Sequence, residues 1–189
     1  MDRRRFVTGA VGIGALALGT PWVAVAGAAT EDDLAFANFG ASTEFLVKNF
    51  YSKALEAKVV SGVERNTLKR GRACAAEHAK ALSDLLVGAG DVAPAEEDFE
   101  FEWPAKTFKS QKDAVSTGVG VLRALLGAYQ TAAATVSEPS HRVLYASLTA
   151  SVSQQLADLA ALQGGRAAEP FPVATDLETA SDALESYLG

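Results

Sequence analysis

Residues 91–109 read "DVAPAEEDFEFEWPAKTFK", and how this stretch is read decides the fold. It carries two prolines, six acidic residues and the aromatics Phe99, Phe101 and Trp103 in alternation with acids, a pattern with no helical period. A non-helical connection of nineteen residues can reach roughly 65 Å. The 26 residues of a helix that long span only roughly 40 Å. The segment is therefore long enough to cross a whole helical bundle from end to end. Its acidic run has the residue types of a cation site, but the interleaved aromatics read better as a solvated crossover whose Phe99, Phe101 and Trp103 pack on the bundle.

On both sides of it the sequence is helical. Thr30 and Asp33 make a capping-box-like start, and Leu34, Phe36, Phe39, Leu46, Phe50 and Leu55 recur near helical spacing to about Val60. Ser61-Gly62 breaks this first helix, and Ser61 with Glu64 predicts the box that opens the second, which carries Leu68, Leu82, Leu85 and Leu86 to Gly88-Ala89-Gly90. So short a turn makes the two antiparallel. After the crossover, Ser110 and Asp113 start a third helix through Val119, Leu122, Leu125, Leu126 and Tyr129, ending near Val136. "SEPSH" (137–141) is a tight turn, and a fourth helix runs to Gly164-Gly165. "AAEPFPVA" (167–174) leads to a short fifth helix opened by Thr175 and Glu178. The fold class is all-α: two antiparallel pairs joined by one long crossover, with a bundle over 30–165 and a tail over 166–189.

A four-helix bundle with a single long crossover has the ferritin-like topology. The chain resembles exported bacterial ferritin-like proteins of the desiccation-related group. The resemblance rests on Thr43-Glu44-Phe45 and Phe50-Tyr51 in helix 1, His78 and Leu82 in helix 2, Ala128-Tyr129 in helix 3 and the Pro170-Phe171-Pro172 tail. It implies a di-iron or di-manganese site, which takes a Glu from each of two helices and a Glu-x-x-His motif from each of the others. Glu44 and His78 each lie about 17 residues from the turn at 61–62, so antiparallel pairing puts them at one level. The rest of the set is absent. Three residues before His78 stands Ala75, and Glu77 points about 100° away from His78. Helix 3 has Leu122 where the resemblance places its ligand, and helix 4 has Ser151 and Gln154 in place of the second motif. Glu138-Pro139-Ser140-His141 has the right spacing but starts helix 4, roughly 15 Å from the level of Glu44. The expectation is no resident cofactor, with Glu44 and His78 left as a buried pair that Gln154 or Tyr129 joins. Iron or manganese enters only if Glu44 and His78 belong to a remodelled set using Glu77, Cys74 or a second subunit.

The N-terminus reads as an export signal. "MDRRRFV" is cationic, "VTGAVGIGALALG" is apolar but too short and glycine-rich for a span, and "AVAGAA" offers cleavage after Ala26 or Ala28. Arg3, Arg4 and Phe6 resemble the twin-arginine pattern, from which Asp2 and Thr8 depart at the flanks. Residues 1–28 are thus expected to engage export machinery and leave no stable membrane anchor. The chain is expected in the periplasm, cell wall or medium, by the twin-arginine or general secretory route.

The chain of 189 residues is 49% hydrophobic, enough for one sizeable core, and its charge of −6 becomes −8 when Asp2 and three arginines leave with the signal. An acidic chain with scattered cations does not suit nucleic acid. The single cysteine, Cys74, has no internal disulfide partner and sits among alanines as a small buried packing residue. There is no nucleophile elbow, phosphate loop or Cys pair, and the Gly118, Gly120 and Gly127 spacing reads as close helix packing. The function expected is non-catalytic: structural, stress-related or binding. The alternative is a metal-binding oxidoreductase or metal store. Alanine-rich helices also allow a homodimer or a partner helix.

Overall fold

The structure, a computed structural model, describes residues 29–164 and 172–188. The export segment with Arg3, Arg4 and Phe6, and Pro170-Phe171 of the tail, lie outside the described residues. Four long helices build the bundle: α1 (Glu31–Glu56), α2 (Arg65–Gly88), α3 (Gln111–Thr135) and α4 (Pro139–Ala161). A six-residue α5 (Leu177–Asp182) follows, and the described residues contain no strand beyond a single bridge between Phe101 and Leu188. No described helix is long and apolar enough to cross a membrane.

The helix starts follow from local chemistry. The Thr30 hydroxyl accepts from the Asp33 amide and the Asp33 carboxylate accepts from the Thr30 amide, the reciprocal capping box expected there. Ser110 caps α3 through the Asp113 amide, and Pro139 occupies the first turn of α4 behind Glu138. Two expected caps are corrected. Ser61 makes no capping bond, because Gly62–Glu64 form a single 3-10 turn that leads directly into α2. What closes this turn is Arg65, whose guanidinium donates to the Leu55 carbonyl at 3.0 Å and satisfies an end group of α1. The fifth helix is opened by Asp176, which accepts from the Thr179 amide, and not by Thr175. The Thr175 amide is committed instead to the Gly127 carbonyl at 3.0 Å.

α1 packs against α2 on one side and α3 on another, and α3 against α4. The crossover covers a further side. Phe99 lies against Phe45, Trp103 against Phe50 with its indole N–H donating to Asn49 Oδ1 at 2.8 Å, and Phe108 against Phe50. Glu96 of the acidic run pairs with Lys48, so that charge neutralises a cation of the same helix. The predicted solvated crossover packing its aromatics on the bundle is what forms. As a result every residue from Phe39 to Val47 except Phe45 is buried, a wider burial than a one-sided apolar stripe gives.

The C-terminal segment then locks the crossover. Glu102 donates its amide to the Tyr187 carbonyl at 2.9 Å, the Trp103 ring lies tilted against Tyr187, and the Thr131 hydroxyl donates to the Thr175 carbonyl. At the other end, Asp33 accepts from both the amide and the hydroxyl of Ser137, tying the start of α1 to the α3–α4 turn. Burial pulls the Asp33 carboxyl up, but the bonds from Ser137 and Thr30 outweigh it and hold the group below its ordinary value.

Close approach depends on particular glycines. A Cβ at Gly118 would stand 2.4 Å from Phe50 and 2.7 Å from Leu159, and one at Gly127 would stand 2.1 Å from Thr175. Gly120 faces nothing within 4 Å, so the expected packing role holds for two of the three. Gly118→Ala should therefore cost about 1–3 kcal/mol by overpacking. Gly120→Ala should instead stabilise by up to about 1 kcal/mol through helix propensity. Thermal melts of the two variants should move in opposite directions, by about 2–4 °C per kcal/mol.

Candidate functional site

Glu44 sits in the middle of α1, where helix and crossover leave its side chain 0% exposed. His78 on α2 comes opposite it, as the turn geometry predicts, with its Nδ1 2.9 Å from Glu44 Oε1. From α3 the Tyr129 hydroxyl donates to the same Oε1 at 3.0 Å. Glu44 Oε1 thus meets the His78 ring nitrogen and the Tyr129 hydroxyl together. Glu44 Oε2 is buried and has no protein partner among the described residues. Three helices are thus joined at one oxygen.

The geometry explains which residues come together. Gly40, one turn before Glu44, would place a Cβ 3.0 Å from both the Tyr129 ring and Leu82, so a glycine there leaves room for the tyrosine to pass. Adjacent positions on α2 diverge as expected, with Glu77 exposed and His78 half-buried. Of the two residues expected to join the pair, Tyr129 does so and Gln154 does not. Gln154 is exposed on α4, and the buried residue there is its neighbour Gln155. A register one residue off moves a side chain by about 100° round a helix, and here it buries Gln155 and turns Gln154 to the surface. Cys74 is also corrected: it is half-buried on the wall of a groove, not packed in the core.

The residues do not fit a di-metal set. Ala75 and Leu122, at the positions where the family resemblance calls for carboxylates, are 0% and 1% exposed and pack in the apolar core. Among the described residues no three His, Cys, Asp or Glu side chains are grouped to hold a metal ion. Glu138 is engaged by the Ser140 hydroxyl at the head of α4, away from Glu44.

Burial pushes the Glu44 carboxyl above its ordinary value of 4.5, against the downward pull of His78 and Tyr129. Burial likewise raises the Tyr129 phenol, with Glu44 adding to it, so Tyr129 remains a neutral donor. Chemically the arrangement is a proton-holding hydrogen-bond junction.

A bundle of two antiparallel helix pairs, one end-to-end crossover and a carboxylate–histidine contact between its first two helices defines a ferritin-like protein. Residues 32–165 match the ferritin-like domain family, and the chain belongs to it. No curated protein matches the chain.

Two predictions follow from the junction. His78→Ala should cost about 2 kcal/mol, since it withdraws a donor from a carboxylate that remains buried. The double variant Glu44→Leu/His78→Leu should cost less than the sum of its single changes, because neither member of the pair is then stranded by loss of the other and the Tyr129 hydroxyl loses its acceptor only once. A double-mutant cycle in urea measures both. A raised folded value also means that Glu44 binds its proton more tightly in the folded state. Its contribution is complete below 4.5 and is lost as pH rises through the higher folded value. Wild type should therefore lose stability relative to Glu44→Gln as pH rises above 4.5.

Proposed function

We propose that this chain is an exported ferritin-like protein that works without a dinuclear metal centre, in a structural, stress-related or binding role. The observation that carries this reading is the composition of mid-bundle. Glu44 and His78 are the ligand-type residues that face each other there, and both are engaged with one another and with Tyr129. The positions that would complete a metal set hold Ala75 and Leu122, which pack in the core. A carboxylate on α1 and a histidine on α2 then act as a structural pin through the centre of the bundle. Neither can be lost singly without stranding the other.

Export is part of the proposal and rests on the sequence of residues 1–28, with Arg3, Arg4 and Phe6 as the twin-arginine signal. Folded export suits a bundle whose first helix is completed only after the crossover and C-terminal segment are in place. The partners proposed are the export machinery and a second copy of the chain; nucleic acid is not among them.

A second reading has one observation in its favour. Glu44 Oε2 is a buried oxygen without a protein partner, and a metal ion could use it in a remodelled site with His78. Metal analysis of the exported protein, purified without chelators, separates the two. The preferred reading expects less than about 0.1 iron or manganese per chain, and no change in His78→Ala. Stoichiometric metal that disappears in His78→Ala would replace it with the metal-binding oxidoreductase or storage reading.

A further inference from the structure

Between α2 and α4, which pack more sparsely than α1 on α2 or α3 on α4, lies a cavity of about 100 Å³. On the measure in which one water needs roughly 10–15 Å³, this space takes a compact organic molecule. Its floor includes Gln155, which is 7% exposed and whose amide oxygen and nitrogen both lack a protein partner among the described residues. Such an amide costs stability unless something fills its donor and acceptor together. Tyr51 crosses from α1 into the same space. It passes α2 at Gly71, where a Cβ would stand 2.3 Å from its Cζ, so the glycine is what admits the ring. At the mouth stand Arg70, exposed and only 3.9 Å from Asp158 in a loose pair, and Asp158 itself.

Each wall has its complement. An amide wants a neighbouring donor and acceptor, which a second primary amide supplies. A guanidinium and a carboxylate side by side at the rim suit a carboxylate and an ammonium carried on one carbon. We infer that the α2–α4 groove binds a free α-amino acid with a primary-amide side chain. The side-chain amide pairs with Gln155, the α-carboxylate with Arg70 and the α-ammonium with Asp158. The groove holds only Cys74 and Asp158 as ligand-type residues, too few for a metal. Glu44 and His78 take no part, so the inference stands or falls separately from the absence of a metal centre.

The test is titration calorimetry on the mature chain with L-asparagine and L-glutamine, and with L-leucine and acetamide as probes that each lack one half of the recognition. Saturable binding of an amide amino acid is expected. It should weaken at least about tenfold for L-leucine, for acetamide, and in either Gln155→Leu or Arg70→Ala. Arg70 is exposed, so its variant keeps the core intact. In the absence of ligand, Gln155→Leu should raise Tm by about 2–4 °C, since it removes an unmatched buried amide. No saturable binding at millimolar concentration, binding that survives both substitutions, or a Gln155→Leu variant that melts lower than wild type would each overturn the inference. The last of these would make Gln155 a structural residue and the cavity a place for water alone.

Discussion

Burying the middle of α1, from Phe39 to Val47, is the constraint on which the rest of this structure depends. Two antiparallel pairs alone would leave part of the first helix open to water. The crossover closes it with Phe99, Trp103 and Phe108, and the C-terminal segment holds the crossover down through Glu102, Trp103 and Tyr187. A carboxylate midway along such a helix has no water to turn to. Glu44 must be met by donors from other helices, and His78 and Tyr129 supply them.

This arrangement joins a glutamate and a histidine by a hydrogen bond at mid-bundle. The ferritin-like bundle brings α1 and α2 together at a level where a glutamate and a histidine can share a cation. Here Ala75 and Leu122 are apolar residues of the core, and a tyrosine reaches in from α3. One carboxylate oxygen collects two hydrogen bonds while the other has no protein partner among the described residues, so the junction is specific in which helices it joins.

Polar anchors at the periphery follow a different logic from those at the centre. Asp33 ties α1 to the α3–α4 turn through short-range chemistry that a capping box already fixes, and adds Ser137 as a distant partner. Arg65 closes the first turn by reaching back to a carbonyl of α1. Neither long-range partner has a sequence signature, since a Ser or Arg near a helix end is ordinary and only the fold brings it to its acceptor. The same holds for Gln155: its neighbour Gln154 has equal claim by composition, and only the register of α4 buries one and exposes the other.

The sequence by itself determined the all-α class, the helix pairs, the crossover and the facing of Glu44 and His78. All of these depend on local periodicity, on caps within three residues and on counting from a short turn, and such rules act along the chain. Tertiary structure alone decided that Tyr129 and not Gln154 completes the junction, that Cys74 lines a groove and that Asp33 reaches Ser137. Those outcomes depend on the rotation of one helix about its axis against another. A shift of one residue there turns a side chain by about 100°, and the packing of the crossover, the glycine contacts at Gly40, Gly71 and Gly118, and the tail set that rotation.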